Sequence, residues 1–158
     1  MDAHELFIEP FAHLPPARAL EGLSADVTER RIASAPHSIA EIVAHLRFWQ
    51  EWFLKRCEGQ RVPMAPTAAD GWPDVAPGSW PVLRDNFLRG LEQLEALGAR
   101  EARDRRLEPP IEFPPLSSYT IDDALVHAAL HNAHHLGQII LLRQLMGLWP
   151  PPSGGLSW

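Results

Sequence analysis

Residues 127–139, HAALHNAHHLGQI, constrain the fold and the candidate site more than any other stretch of the chain. Four of the chain's eight histidines lie within it. Because an α-helix turns about 100° per residue, His131 and His135 fall on one face together with most of the apolar residues nearby. His127 lies at the edge of this face, and His134 points outward. The spacing therefore predicts a helix with two histidines on its buried side.

Capping signals mark where this helix and two others begin. The last helix is predicted for residues 120–146, because Asp123 stands three residues after a capping threonine. A second long helix is predicted for residues 38–59, where Glu41 completes the same pattern and apolar residues recur three and four apart. A third, at residues 79–98, has a candidate cap in Ser79 and a proline in its first turn, where the missing amide costs little.

Prolines interrupt the apolar pattern at the start of the chain. Residues 2–23 have apolar side chains in helical spacing, but Pro10, Pro15 and Pro16 each remove a backbone donor and disturb a helix. This segment predicts either two short helices or one bent helix.

Four helical regions without strand-type alternation predict an all-α protein, specifically a four-helix bundle with long connections. The connections, at residues 62–78 and 105–119, are rich in proline. A chain of 158 residues suits a single helical-bundle domain over residues 1–158. Residues 149–158 form a proline- and glycine-rich tail that cannot continue the last helix.

Composition and charge exclude several classes of function. A net charge of -6 argues against a protein that covers a phosphate backbone with a basic face, so no nucleic-acid partner is expected. A single cysteine, Cys57, excludes an intramolecular disulfide and an all-thiolate zinc site. No apolar run approaches the roughly 18 residues of a membrane span, and the first residues lack the basic start of a secretory signal. We therefore expect no membrane partner and a cytoplasmic location.

Two buried imidazoles one turn apart need a partner that satisfies both rings. A divalent metal ion does so, because neutral imidazole nitrogen is a good ligand for zinc, nickel or copper. His45 is the predicted third ligand, since it lies on the apolar face of the helix at residues 38–59. The sequence thus predicts a metal site formed by His45, His131 and His135. Two alternatives stay open: His45 is a core histidine bonded to a backbone carbonyl, or all three histidines are purely structural.

The chemistry of such a site is only partly determined by the sequence. A zincin-type protease is excluded, because asparagine rather than glutamate follows His131. Three protein ligands leave coordination positions open, so metal-bound water or a thiolate is the expected nucleophile, and no catalytic side chain is identified. His127 and His134, at the rim of the cluster, are predicted to contact substrate. The remaining histidines, interpreted as surface or loop residues, are His4, His13 and His37.

Two segments resemble motifs of the DinB/YfiT-like family of bacterial four-helix metalloproteins. They are residues 37–46, HSIAEIVAHL, and residues 130–139, LHNAHHLGQI. The resemblance implies a bundle, often a homodimer, in which His45, His131 and His135 hold zinc or nickel.

The resemblance also bears on the surroundings of the site and on the reaction. It implies that Gly137 permits a close approach of helices, that Gln138 orients a ligand or contacts substrate, and that a substrate pocket is lined by Trp49 and by the loops after residues 38–59 and 79–98. Some relatives resemble S-transferases or isomerases that use low-molecular-weight thiols. The first hypothesis is therefore a metal-dependent hydrolase or thiol-dependent S-transferase acting on a small electrophilic substrate. The alternative is a non-catalytic metal-binding or stress-response protein.

Overall fold

The computed structural model describes residues 2–33, 35–100 and 102–155. Within these ranges the chain is all-helical, as predicted, and its only β-type pairing is an isolated bridge between Arg106 and Thr120. The helices are α1 (Ala3–Phe7), α2 (Pro16–Ala19), α3 (Ala25–Thr28), α4 (Ile39–Cys57), α5 (Trp80–Gly98) and α6 (Ile121–Leu145), with 3₁₀ turns at Ala68–Gly71 and Pro114–Leu116. Among the described helices, none is long and apolar enough to cross a membrane.

Capping boxes start the two helices that carry the cluster histidines, as predicted. At α4 the Ser38 hydroxyl accepts from the Glu41 amide (3.2 Å), and the Glu41 carboxylate accepts from the Ser38 amide (2.7 Å). At α6, Thr120 Oγ1 accepts from the Asp123 amide (3.1 Å), and the Asp123 carboxylate accepts from the Thr120 amide (2.9 Å). The start of α5 differs, since Ser79 makes no side-chain capping bond. Ser79 thus occupies the N-cap position, as predicted, but its side chain does not satisfy a backbone amide.

Residues 2–23 form two short helices, α1 and α2, which is one of the two alternatives predicted for this segment, and a third short helix, α3, follows them. Helix α1 ends before Pro10, and α2 begins at Pro16, where a proline ring fits the first turn of a helix. Gly22 adopts a φ of +70°, which turns the chain between α2 and α3. Short helices thus take the place of the first long helix of a four-helix bundle, and they are separated where proline or glycine interrupts the chain.

Helix α4 lies at the centre of the packing and contacts both α5 and α6. The short helices cover the rest: α1 contacts α5 and α6, α2 contacts α6, and α3 contacts α4 and α5. The contacts are apolar, and Leu46 of α4, Phe87 of α5 and Leu136 of α6 are fully buried. This arrangement is compatible with a four-helix bundle in which short helices take the place of one long helix.

A buried arginine joins the C-terminal end of α6 to the start of the chain. Arg143 Nη1 donates to the carbonyl oxygens of Ala19 (2.9 Å) and Glu21 (2.7 Å). Its Nε and Nη2 donate to the carbonyl oxygen of Leu148, at 3.2 and 3.1 Å. One side chain therefore satisfies backbone carbonyls at the end of α2 and in the segment after α6.

The proline- and glycine-rich tail folds back on α2 over its described part, residues 149–155. Arg18 Nη2 donates to the carbonyl oxygens of Ser153 (3.1 Å) and Gly154 (2.6 Å). The Glu21 carboxylate accepts from the Ser153 amide (2.9 Å). Residues 156–158 of the predicted tail lie outside the described residues.

Candidate metal centre

The three predicted ligand side chains come together between α4 and α6. His45 on α4 and His135 on α6 are each 6% exposed, and His131 lies one turn before His135 and is partly buried. One ring nitrogen from each histidine lies within 4.8 Å of the other two, and His45 Nε2 is 3.0 Å from His131 Nε2. The periodicity that places His131 and His135 on one face of α6 thus brings both of them to His45.

Two of the three rings are held by a hydrogen bond on the nitrogen that points away from the cluster. His45 Nδ1 donates to the carbonyl oxygen of Gly71 (2.6 Å), and because a carbonyl only accepts, the Nε2 of the neutral ring carries a lone pair. His135 Nδ1 donates to Gln138 Oε1 (2.7 Å), and Gln138 Nε2 donates to His134 Nε2 (3.2 Å). Such outer hydrogen bonds are typical of metal-ligating histidines. His45 is therefore bonded to a backbone carbonyl, as a core histidine would be, and still presents its other nitrogen to the cluster.

The carbonyl of Gly71 is positioned by a capped 3₁₀ turn in the loop after α4. The amide and hydroxyl of Thr67 both donate to the Asp70 carboxylate, at 2.8 and 2.7 Å. Trp49 of α4 packs directly on this turn, because a Cβ added to Gly71 would lie 2.9 Å from Trp49 Nε1. Glycine therefore lets the turn approach α4 closely enough for its carbonyl to reach His45.

The donor set fits a divalent transition-metal ion. Imidazole nitrogen is a preferred ligand of zinc and nickel, and a tetrahedral zinc ion holds two such nitrogens roughly 3.3 Å apart. The 3.0 Å separation between His45 Nε2 and His131 Nε2 lies close to this spacing. The cluster is therefore compatible with a bound metal ion to which the chain contributes three ligands.

Gly71→Ala is expected to weaken metal binding by about 10- to 100-fold, the usual effect of disturbing the outer hydrogen bond of a ligand histidine. The added Cβ forces either the Trp49 ring or the turn to move, which lengthens the bond from His45 Nδ1 to the residue-71 carbonyl. Calorimetric titration with zinc measures the change. Gly137→Ala is the matched control, and equal losses in the two variants would contradict the role of the turn.

Gly137→Ala is a suitable control because a Cβ added at Gly137 meets nothing within 4 Å. The close approach of helices predicted at Gly137 is therefore wrong for the described residues. Its exposed place on α6 explains this, since no other described element packs against that point.

Burial keeps the imidazoles of the cluster neutral. Removal from water lowers the pKa of His45 from 6.5 to about 4 and the pKa of His131 from 6.5 to about 3. Burial also lowers the pKa of His135, although its hydrogen bond to Gln138 acts in the opposite direction. Neighbouring rings add to these shifts, because a positive charge on one ring disfavours a positive charge on the next. At neutral pH the three rings are therefore uncharged, as metal binding requires.

The metal-free protein is expected to lose stability as the pH falls from 6.5 to about 4. The unfolded chain takes up a proton on His45 near pH 6.5, whereas the folded chain does so only near pH 4. Protons therefore favour the unfolded state throughout that window, and stability is complete only above it. For His45 alone the loss corresponds to about 3 kcal/mol of unfolding free energy.

Thermal melts of chelator-treated protein, taken from neutral pH down to about pH 4, measure this dependence. The His45→Asn variant is the control and should show a shallower dependence on pH. A melting temperature that stays constant across the window in the unsubstituted protein would contradict the prediction.

Two residues that the sequence did not single out complete the surroundings of His45. Trp72 stacks on the His45 ring, with centroids 3.9 Å apart and 12° between the planes. His37 stacks on Trp72 at 3.7 Å and 9°, and two rings this close cannot share one face, so Trp72 lies between the histidines. His37 is a loop residue, as predicted, but it is partly buried and its ring stacks on Trp72, which the sequence did not indicate. The sequence feature that could have pointed to His37 was its position directly before the capping Ser38, because the cap fixes where the chain enters α4.

A cavity of about 400 Å³ opens beside the cluster and reaches His135. Of the four residues predicted to contact substrate, Gln138 lines this cavity. Trp49, His127 and His134 are not among its lining residues. Trp49 packs on the turn after α4, His127 is partly buried further towards the start of α6, and His134 is exposed.

The residues that line the cavity agree only in part with the predicted lining by the loops after residues 38–59 and 79–98. Trp72 comes from the loop after α4, as predicted, but the loop after α5 supplies none of the lining residues in the described part of the chain. Residues 35–37, directly before α4, line the cavity instead. Across the cavity they face residues of the second half of α6, from Gln138 to Leu145.

Comparison with known proteins identifies a family. A family model described as the DinB superfamily matches residues 17–139. The matched range contains His45, His131 and His135, together with the loop that holds His45. No match was found among curated proteins or among solved structures.

Proposed function

The chain belongs to the DinB superfamily, and on this premise we propose that it is a metal-dependent enzyme. It binds one divalent ion, zinc or nickel, through His45, His131 and His135. It acts on a small electrophilic substrate, either as a hydrolase or as an S-transferase that uses a low-molecular-weight thiol. The observation that carries the proposal is the orientation of the rings: Gly71 holds His45 and Gln138 holds His135, so that their free nitrogens converge.

The number of ligands and the neighbouring cavity support a catalytic site over a structural one. Structural zinc sites are closed by four protein ligands, whereas catalytic sites use three and leave a position for water or substrate. His135 belongs to the cluster and also lines the cavity, so a molecule in the cavity lies next to the open side. When bound, a divalent ion supplies Lewis acidity and lowers the pKa of water or of a thiol.

The residues around the cluster orient its rings and limit the access of water. The carbonyl of Gly71 and the side chain of Gln138 keep the Nδ1 protons of His45 and His135 directed outward. Trp72 covers one face of the His45 ring. Because burial lowers the pKa of the cluster histidines, these rings serve as ligands and not as acceptors of a proton from the substrate.

Metal content and turnover test the proposal in two steps. Protein purified without chelators is expected to hold about one zinc or nickel ion per chain, measured by elemental analysis and calorimetric titration. The loaded protein is then screened with small esters and epoxides, with and without a thiol, beside His131→Ala. Turnover that disappears in His131→Ala supports the enzyme, whereas equal rates in both proteins would refute it.

A non-catalytic metal-binding or stress-response role is the second candidate. It is favoured by the cavity walls, because no lining residue in the described part of the chain is an aspartate or glutamate that would act as a general base. Saturable metal uptake without turnover across the screen is the expected result for this role.

A further inference from the structure

The cavity beside His135 is polar at one end and apolar at the other. Its polar lining residues are His37, His135 and Gln138, and its apolar ones include Leu141, Leu142 and Leu145. At 1.5 Å per residue, the leucines lie about 9 to 15 Å beyond His135 along the axis of α6. The polar end therefore adjoins the histidine cluster, and the apolar end lies near the C-terminus of the helix.

The walls of this cavity carry no lysine, arginine, aspartate or glutamate among the lining residues that the structure describes. An anion placed there would lose its hydration without gaining a salt bridge, which is costly. The volume of about 400 Å³ lies in the range of small-molecule sites, which are mostly apolar with a few polar groups that fix orientation. The cavity therefore favours an uncharged ligand over an anionic one.

Two of the leucines are far more exposed than is usual for their residue type. Leu141 is 54% exposed and Leu145 is 60% exposed, whereas Leu142 between them is 5% exposed. Exposed apolar side chains grouped at the mouth of a cavity are typical of binding sites. An apolar chain lying across these leucines would remove them from water.

We infer that the cavity selects an uncharged substrate whose apolar chain or ring lies along Leu141, Leu142 and Leu145 while its polar reactive group lies at His135. The inference rests on the proposed function and deepens it by naming the substrate class. A thiol that carries carboxylates finds no lysine or arginine among the lining residues that the structure describes.

A small molecule fits the cavity better than a second copy of the chain does. The cavity is continuous with the cluster through His135. At its polar end the Gln138 amide bonds to His134 and His135 and keeps a second N–H and a second lone pair for a hydrogen-bonding group of a ligand. An amide, ester or similar head supplies such a group, whereas an apolar helix face from a second copy does not.

Binding of straight-chain amides to the metal-free chain tests the inference without relying on metal binding. Butanamide, hexanamide and octanamide are titrated into chelator-treated protein, and binding is followed by calorimetry. Each added methylene is expected to raise the affinity about fourfold, which is the effect of burying one methylene. Octanoate is expected to bind at least about tenfold more weakly than octanamide, because its charge has no partner in the cavity.

A pair of leucine variants on the same helix locates the binding site. Leu141→Ser is expected to lower octanamide affinity about tenfold. Leu130→Ser is the matched control, because Leu130 is a similarly exposed leucine of α6 (67%) that does not line this cavity. It is expected to leave octanamide binding unchanged.

Three results would overturn the inference: affinity that does not rise with chain length, octanoate binding as tightly as octanamide, or equal losses in Leu141→Ser and Leu130→Ser. A change from dimer to monomer in Leu141→Ser, seen by sedimentation, would also overturn it by assigning the leucines to an interface between two copies. Zinc binding is measured separately, so failure of the amide series is distinguished from failure of the histidine cluster to bind metal.

Discussion

Replacement of His135 by alanine is expected to weaken zinc binding about 1000-fold, and the same loss is expected for His45→Ala and His131→Ala. Zinc bound by a set of protein ligands is stabilised by about 10 kcal/mol or more, so one ligand among three accounts for roughly 4 kcal/mol. The two rings left in each variant cannot hold the ion at the same affinity. Competition with a chelator of known affinity measures the loss. The melting temperature gives a second readout, because zinc should no longer raise it.

His13→Ala is the matched control for these three variants. Like His45, His13 has its Nδ1 close to a backbone carbonyl oxygen, that of Leu14 (3.0 Å), and its ring is partly buried. It differs in lying outside the histidine cluster. His13→Ala is expected to keep full zinc affinity. A comparable loss in this control, or full affinity in any one of the cluster variants, would contradict the assignment of the site.

The sequence predicted those parts of the site that depend on helix periodicity. The four-residue spacing of His131 and His135 places them on one face whatever the helix packs against. Capping boxes at Ser38 and Thr120 determine where α4 and α6 begin, and they consist of contacts between residues three apart. His45 followed from the same periodicity on α4, since packing of the two apolar faces brings it to the pair on α6.

The parts of the site that come from loops did not follow from the sequence. Gly71 and Trp72 lie in a proline-rich stretch without periodicity, and the bond from His45 to Gly71 joins residues 26 positions apart. Thr67 and Asp70 do have the spacing of a capping box. Without an apolar pattern after them, however, that spacing did not predict a turn that packs on α4.

Arg143, at the C-terminal end of α6, is another residue whose surroundings the sequence did not predict. A basic residue in the last turn of a helix is typically exposed and interacts with the helix dipole. Here it is 2% exposed, because α2 and the segment after α6 close over it. The burial of Arg143 depends on how the short helices at the start of the chain pack on α6. No local pattern in the sequence specifies that packing.

Arg143→Met is expected to lower the free energy of unfolding by about 4 kcal/mol. Methionine keeps the apolar stem but removes the hydrogen bonds that the guanidinium donates to the carbonyls of Ala19, Glu21 and Leu148. Because the site is buried, water does not replace these bonds freely, and each carbonyl left without a donor costs about 1 to 3 kcal/mol. Urea unfolding measures the loss, and the melting temperature is expected to fall by roughly 10 °C.

Two further variants separate the loss of these hydrogen bonds from effects of charge and size. Arg143→Lys keeps the positive charge, but an ammonium group cannot reach carbonyls on separate segments at once, so most of the loss should remain. Arg89→Met alters an exposed arginine on α5 that bonds to the side chain of Asn86 (3.0 Å), and it should change stability by less than about 0.5 kcal/mol. If Arg143→Met were as stable as the unsubstituted protein, apolar contacts alone would hold the start of the chain on α6. If Arg89→Met lost as much as Arg143→Met, the effect would belong to the removal of any arginine and not to the carbonyls that Arg143 satisfies.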